Sequence, residues 1–326
     1  LAGSSGTSCP SGIERHEKEK SVVRRLAFMM GFALCMVTSE VAAQERIRAV
    51  ATFSILGDLV QRVGGDRVEV RLLVGPEADA HVYQPTPADA SVLARAQIVF
   101  QNGLGFEGWM ERLVRAASYK GPLITASRGI KTLRVGKAGA GSAHGKDAGE
   151  VDPHGWQSPL NAKVYVTNIQ TALCTLEAAS CASFTRNAES LATEIDTLDK
   201  EIRERIATVP PARRKVITSH DAFGYFAAAY GIRFLSPRGI STEKEPSAKE
   251  VATLIDQIRR EKVTALFVES ISDKRLIEQI GRETGVKPGG TLYSDALSRK
   301  VGPAATYLEM MRHNARLIAD ALAAGS

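Results

Sequence analysis

Three histidines and one aspartate stand where an α/β framework would present them at the tips of its strands. His81 lies in DAHVYQPTP (79–87), just past the apolar run VEVRLLVG (68–75). His154 lies in DPHGWQSP (152–159), His220 closes KVITSH (215–220), and Asp295 closes GGTLYSD (289–295). Three imidazoles and a carboxylate form a nitrogen-rich set of four donors, which suits Zn2+ in tetrahedral geometry at ~2.0–2.2 Å. Harder cations such as Mg2+ and Ca2+ prefer oxygen cages. No local spacing rule links residues this far apart, and a single loop histidine is more often idle than a ligand. The shared placement of the four at strand ends points to one site. The other histidines are placed differently: His16 near the start, His144 in a glycine-rich stretch, and His313 within a closing helix.

For four such distant residues to meet, the chain must fold so that strand ends converge. Strand-like runs at 47–53, 67–74, 96–102 and 123–127 alternate with helical runs at 54–64, from Pro87 onward, and at 106–118. Ser54 is expected to cap the first helix and Pro87 to open the second. Alternation of this kind predicts a mostly parallel sheet covered on both faces. GKAGAGSAHGKDAGEVD (136–152) has little to bury and is expected to be a mobile loop. Helical stretches follow at 159–178 and 186–206, the second with Leu191, Ile195, Leu198 and Ile202 on one face and a length of roughly 30 Å. Strand–helix alternation then resumes: strands at 215–220, 263–270 and 289–295, helices at 221–231, 247–262, 273–285 and 304–324. The expected architecture is two Rossmann-like α/β lobes, 44–182 and 211–326, joined by a rigid linker helix at 183–210. In open α/β sheets ligands sit beyond the carboxyl ends of the strands, so the site belongs in the cleft between lobes.

The 326 residues carry a formal charge of +6 and are 44% hydrophobic, ordinary values for a globular α/β protein. The basic residues are scattered, with no Lys/Arg run interleaved with aromatics, so no nucleic-acid surface is expected. Arg24 and Arg25, the apolar run LAFMMGFALCMV (26–37) and the small residues of VAA (41–43) read as an export signal cleaved after Ala43. The apolar run is too short to span a bilayer. Leu34 before Cys35 is a poor context for a lipid-modified cysteine. Residues 1–20 stand ahead of this signal, and a start near Val22 or Val23 is expected. Export permits disulfides: Cys174 and Cys181 either close a small loop between helices or stay free, and the oxidising compartment favours the bridge.

The motifs ATFSILGDLV, DAHVYQPTPAD, NGLGFEGWM, DPHGWQSPLNAKVYV, TSHDAFGYFAAAYG and GGTLYSDALS resemble the solute-binding proteins of metal-importing ABC transporters. The likeness covers 46–326 and is strongest to the zinc-binding, AztC/ZnuA-like branch of the cluster A-I proteins. It implies that the positions matching His81, His154, His220 and Asp295 bind the metal. Manganese-binding relatives carry a glutamate where this chain has His220, so the third imidazole points to zinc. The resemblance also implies a periplasmic monomer that delivers Zn2+ to a membrane permease with its ATPase subunit, and it permits loading by a periplasmic zinc metallochaperone. One departure stands out: zinc binders often carry a long His/Asp/Glu-rich loop, whereas 136–152 holds only His144 with Asp147, Glu150 and Asp152.

Supporting roles fall to Asp79, Asp221 and Glu269 as carboxylate partners of the imidazoles, although Asp221 is equally placed to cap the helix that follows it. Trp156 and Tyr83 flank ligands and either wall off solvent or pack. Two rival functions use the same residues. A zinc hydrolase needs an open coordination position and a general base, and Asp295 would fill that position. A metal-dependent adhesin on the same scaffold would show host binding without a role in zinc uptake. GLGFEG (103–108) lacks the glycine spacing of a nucleotide fingerprint.

Overall fold

The computed structural model describes residues 1–7, 45–135, 144–145 and 149–324. The export signal at 24–43 and most of the 136–152 stretch lie outside the described residues. Two four-stranded parallel sheets organise the chain. The first is built from β1 (Ile47–Ala51), β2 (Val68–Leu72), β3 (Ile98–Gln101) and β4 (Leu123–Thr125), in the order β2-β1-β3-β4. The second uses β8 (Lys215–Ile217), β9 (Arg233–Leu235), β10 (Ala265–Glu269) and β11 (Pro288–Leu292), in the order β11-β10-β8-β9. In each, the chain steps to one side of its first strand and then to the other. This leaves a crevice between β1 and β3 and another between β8 and β10, where ligand sites of open sheets form.

The covering helices follow from the sequence. α1 (Ser54–Gly64) buries Ile55, Leu56, Leu59, Val60 and Val63. α2 (Pro87–Ala94) starts at a capping box in which Thr86 and Asp89 exchange side-chain and backbone hydrogen bonds. α3 (Met110–Ala116), α4 (Pro159–Leu176) and α5 (Cys181–Ala207) follow. The second half adds α6 (Gly224–Tyr230), α7 (Ala248–Glu261), α8 (Lys274–Thr284) and α9 (Tyr307–Ala324). Left-handed Gly231 and Gly285 end α6 and α8.

α5 is the rod between the halves. Phe184, Ala188, Leu191, Ile195, Leu198, Ile202 and Ile206 are buried along one face, the stripe expected of an amphipathic helix. It packs on α1 and α4 from the first half and on α6 and α9 from the second. One hydrophobic cluster runs through this helix into both sheets.

Four expectations need correction. α5 has 27 residues and begins at Cys181, so it measures about 40 Å rather than 30. Ser54 is the first helical residue and not the cap; its hydroxyl instead accepts the backbone N–H of Leu297, 2.9 Å away in the other half. Asp221 does not cap α6, which starts three residues later behind Phe223. The glycine-rich stretch is not wholly irregular: β5 (Arg134–Val135) pairs antiparallel with both β6 (His144–Gly145) and β7 (Glu150–Val151).

Cys174 and Cys181 are joined by a disulfide between the end of α4 and the start of α5, with Cα atoms 4.5 Å apart. Closing so short a loop removes chain entropy worth about 2.5 kcal/mol from the unfolded state. The double variant Cys174→Ser/Cys181→Ser is expected to melt roughly 5 °C below the oxidised protein. An unchanged melting temperature in calorimetry would contradict that assignment.

Candidate metal centre

Each of the four residues singled out by the sequence is held by local hydrogen bonds. Asp79 begins the turn at His81: its Oδ1 accepts the His81 backbone N–H at 2.9 Å, and the Trp109 indole donates to the Ala80 carbonyl at 2.8 Å. Asp152 does the same two residues before His154, accepting its backbone N–H at 2.9 Å. The same Oδ1 lies 2.8 Å from the His154 Nδ1. A carboxylate there fixes the proton on Nδ1 and turns Nε2, with its lone pair, into the cleft. The segment itself is tied to the first switch point, where the Asn102 side chain at the end of β3 donates to the Pro153 carbonyl at 2.9 Å.

His220 sits at the second switch point. Glu269, the last residue of β10, accepts the His220 backbone N–H at 2.8 Å, and its other oxygen lies 2.7 Å from the ring Nδ1. Asp295 follows β11. The carbonyl just before it, on Ser294, accepts from the Trp156 indole at 2.8 Å and from the Gln157 amide at 2.7 Å. The Tyr307 hydroxyl in turn donates to the Trp156 carbonyl at 2.9 Å. The segments bearing His154 and Asp295 are thus clamped together across the halves.

The four functional ends converge. His81 Nε2 lies 3.2 Å from His154 Nε2 and 3.3 Å from Asp295 Oδ2. His220 Nε2 is 3.1 Å from the same Oδ2, and His154 Nε2 is 3.6 Å from Oδ1. All donor atoms of the set fall within 4.8 Å of one another, and all four residues are buried. A tetrahedron with metal–ligand bonds of ~2.0–2.1 Å has edges of about 3.3 Å, so the cluster has the dimensions of a four-donor cage. Among the described residues no second group of three or more such side chains assembles.

The electrostatics are those of a cation cradle. Burial pulls the His81 imidazole below its ordinary range. Burial pulls on His220 too, but the carboxylates of Glu269 and Asp295 more than offset it and raise that ring well above the usual value. Burial alone would raise Asp295; the facing rings of His220 and His154 hold its carboxyl well below the carboxylate range instead. Phe106, Phe53 and Trp156 form an edge-to-face aromatic wall, with the Phe106 ring 4.7 Å from that of His81. The wall excludes water on that side and strengthens the field inside.

Other sequence candidates take different places. His313 bonds the Thr291 carbonyl at 3.0 Å, remote from the cluster, and His16 and the His144 side chain lie outside the described residues. Asp79 serves the His81 backbone and not its ring. Tyr83 turns away to pack on Trp109 and bond Asp89. By sequence Asp152 is only one acid of a glycine-rich stretch. The signal that marks it is the repeated Asp-x-His pattern, 79–81 and 152–154, which is the spacing of an aspartate-headed turn.

The chain matches the family model described as zinc-uptake complex component A, periplasmic, over residues 49–321. It is 33% identical over 275 residues to the iron-binding protein YfeA of Yersinia pestis, covering 84% of this chain and 86% of that protein. The periplasmic zinc binding protein TroA from Treponema pallidum aligns with a TM-score of 0.78 at 29% identity, covering 85% of this chain and 99% of that one. The Mn-bound periplasmic metal binding protein from Candidatus Liberibacter asiaticus aligns with a TM-score of 0.74 at 31% identity, covering 85% and 100%.

Proposed function

Because the chain belongs to the ZnuA family of periplasmic metal-binding components of ABC transporters, we propose that its cargo is Zn2+, held by His81, His154, His220 and Asp295. The observation that carries this reading is the convergence of three imidazole Nε2 atoms on one buried carboxylate at tetrahedral spacing. Relatives are named for iron, manganese and zinc, so kinship alone does not choose the ion. The donor set supports zinc: nitrogen-rich, four-membered cages favour it over manganese, which takes more oxygen ligands. Copper binds such donors tightly as well, so supply outside the cytoplasm contributes to selection.

The action is capture and delivery rather than turnover. Asp295 occupies the fourth position that a catalytic zinc would leave to water. Release is to a membrane permease driven by a separate ATPase subunit, with export by the signal at 24–43 and cleavage after Ala43. A monomer of two lobes, 44–182 and 211–326, joined through the linker region 183–210, fits this role. Loading by a periplasmic zinc metallochaperone is part of the same reading. No helix among the described residues is long and apolar enough to cross a membrane. Elemental analysis of purified protein, followed by chelator competition, tests the proposal. One equivalent of zinc, bound at least a hundredfold more tightly than manganese, is expected; equal affinities would refute it.

Binding should also depend on pH with a definite sign. Without metal, the raised His220 keeps its proton above the ordinary imidazole range, so metal must displace that proton near neutrality. Zinc affinity is expected to rise about tenfold per pH unit for each proton displaced, and to keep rising through pH 7 instead of levelling near ~6.5. Competition titrations at three pH values check this, and a flat profile would contradict it.

A further inference from the structure

The four ligands are not equally enclosed. His154, His220 and Asp295 are fully buried, whereas His81 is 6% exposed and is followed by Val82, which is 46% exposed. His154 and His220 each rest a ring Nδ1 against a carboxylate, and His81 has no such partner among the described residues. The segment that carries His81 is held to the opposite half by a few bonds on the N-terminal side of that ligand. The Thr242 hydroxyl, on the loop after β9, donates to Asp79 Oδ2 at 2.6 Å. The other oxygen of that carboxylate bonds the His81 backbone N–H, so one aspartate couples Thr242 directly to the ligand. Two residues before Asp79, Glu77 has a φ of 60°, a left-handed conformation that non-glycine residues adopt sparingly. Its N–H donates to the Leu297 carbonyl at 3.0 Å, and its carboxylate meets Arg299 at 2.9 Å.

We infer that residues 75–82 are the gate through which the cation reaches and leaves the cage, and that Thr242 is the latch that keeps it shut. The inference rests on the metal-binding reading above and adds a route and a controlling residue to it. The other three ligands are clamped within the two halves by the Trp156, Gln157, Asp152 and Glu269 contacts, so ion passage through their side would break more bonds. Moving the 75–82 segment breaks the Thr242–Asp79, Glu77–Leu297, Glu77–Arg299 and Trp109–Ala80 contacts, fewer than hold the other three ligands. A gate of this kind slows uptake and release together.

The test compares wild type with Thr242→Val, which keeps the shape and removes the donor, and with Thr242→Ser, which restores it. Zinc stoichiometry, stopped-flow association and a chase into excess chelator are measured on the same preparations. Thr242→Val is expected to bind one equivalent of zinc, with association and dissociation both about tenfold faster and the equilibrium affinity within about threefold of wild type. Thr242→Ser should return both rates to wild-type values. Unchanged rates in Thr242→Val overturn the latch. Faster dissociation alone, with weaker affinity, also overturns it, because Thr242 would then only orient His81. Absence of bound zinc in the wild type overturns the underlying reading and the gate with it.

Discussion

Replacing His154 by alanine is expected to lower zinc affinity roughly a hundredfold to a thousandfold and to leave the fold intact. The expectation follows from the position of this ring. It is fully buried, its Nδ1 is fixed by Asp152, and its Nε2 lies within 3.2 Å of His81 and 3.6 Å of Asp295. Four-donor zinc sites yield ~10–16 kcal/mol of apparent binding energy, so one donor of four is worth about 3 kcal/mol. At 1.4 kcal/mol per tenfold, roughly two to three orders of magnitude are lost. Water entering the vacated space recovers only part of the bond, since Asp152 would no longer orient a donor there. The fold tolerates the change because the segment keeps its backbone anchors, Asn102 to Pro153 and Trp156 to Ser294. Circular dichroism with chelator competition checks both halves of the statement. A loss below tenfold would remove His154 from the cage.

His220→Glu is expected to change which metal is preferred. A carboxylate at this position faces Glu269, now 2.7 Å from the imidazole, and Asp295, now 3.1 Å from it. The site gains negative charge and oxygen character and loses one nitrogen donor. Oxygen-rich sets suit manganese better and zinc less well. The zinc-over-manganese ratio is expected to narrow by about a hundredfold, because zinc loses a good ligand while manganese gains an acceptable one. Repulsion among three close carboxylates also raises the proton affinity of the metal-free site, so the variant's binding should weaken further at acidic pH. Paired competitions with Zn2+ and Mn2+ read the ratio directly, and an unchanged ratio would mean that residue 220 does not set selectivity.

Much of this molecule is legible from residue order. The strand–helix alternation marks two parallel sheets covered on both faces, and the stripe from Leu191 to Ile202, buried on one face, marks the helix between them. The candidate ligands are legible because strand ends are predictable and histidines are few. What escapes is what depends on distant geometry. Ser54 looks like a cap by type and position, but Leu297 from the far half claims its hydroxyl. The start of α5 moves back to Cys181 because the disulfide and the preceding turn let the helix begin early. Asp152 was obscured by its glycine-rich surroundings, and only the antiparallel pairing of β5 with β7 carries it into the core. The Thr242 contact spans 163 positions and has no local signature at all.

On this reading four protein groups enclose one ion completely. X-ray absorption at the zinc edge on the loaded protein measures this most directly. Three imidazole nitrogens and carboxylate oxygen from a single residue are expected at ~2.0–2.2 Å, with no water bound to the metal. A shell holding water, or fewer than three imidazoles, would contradict it.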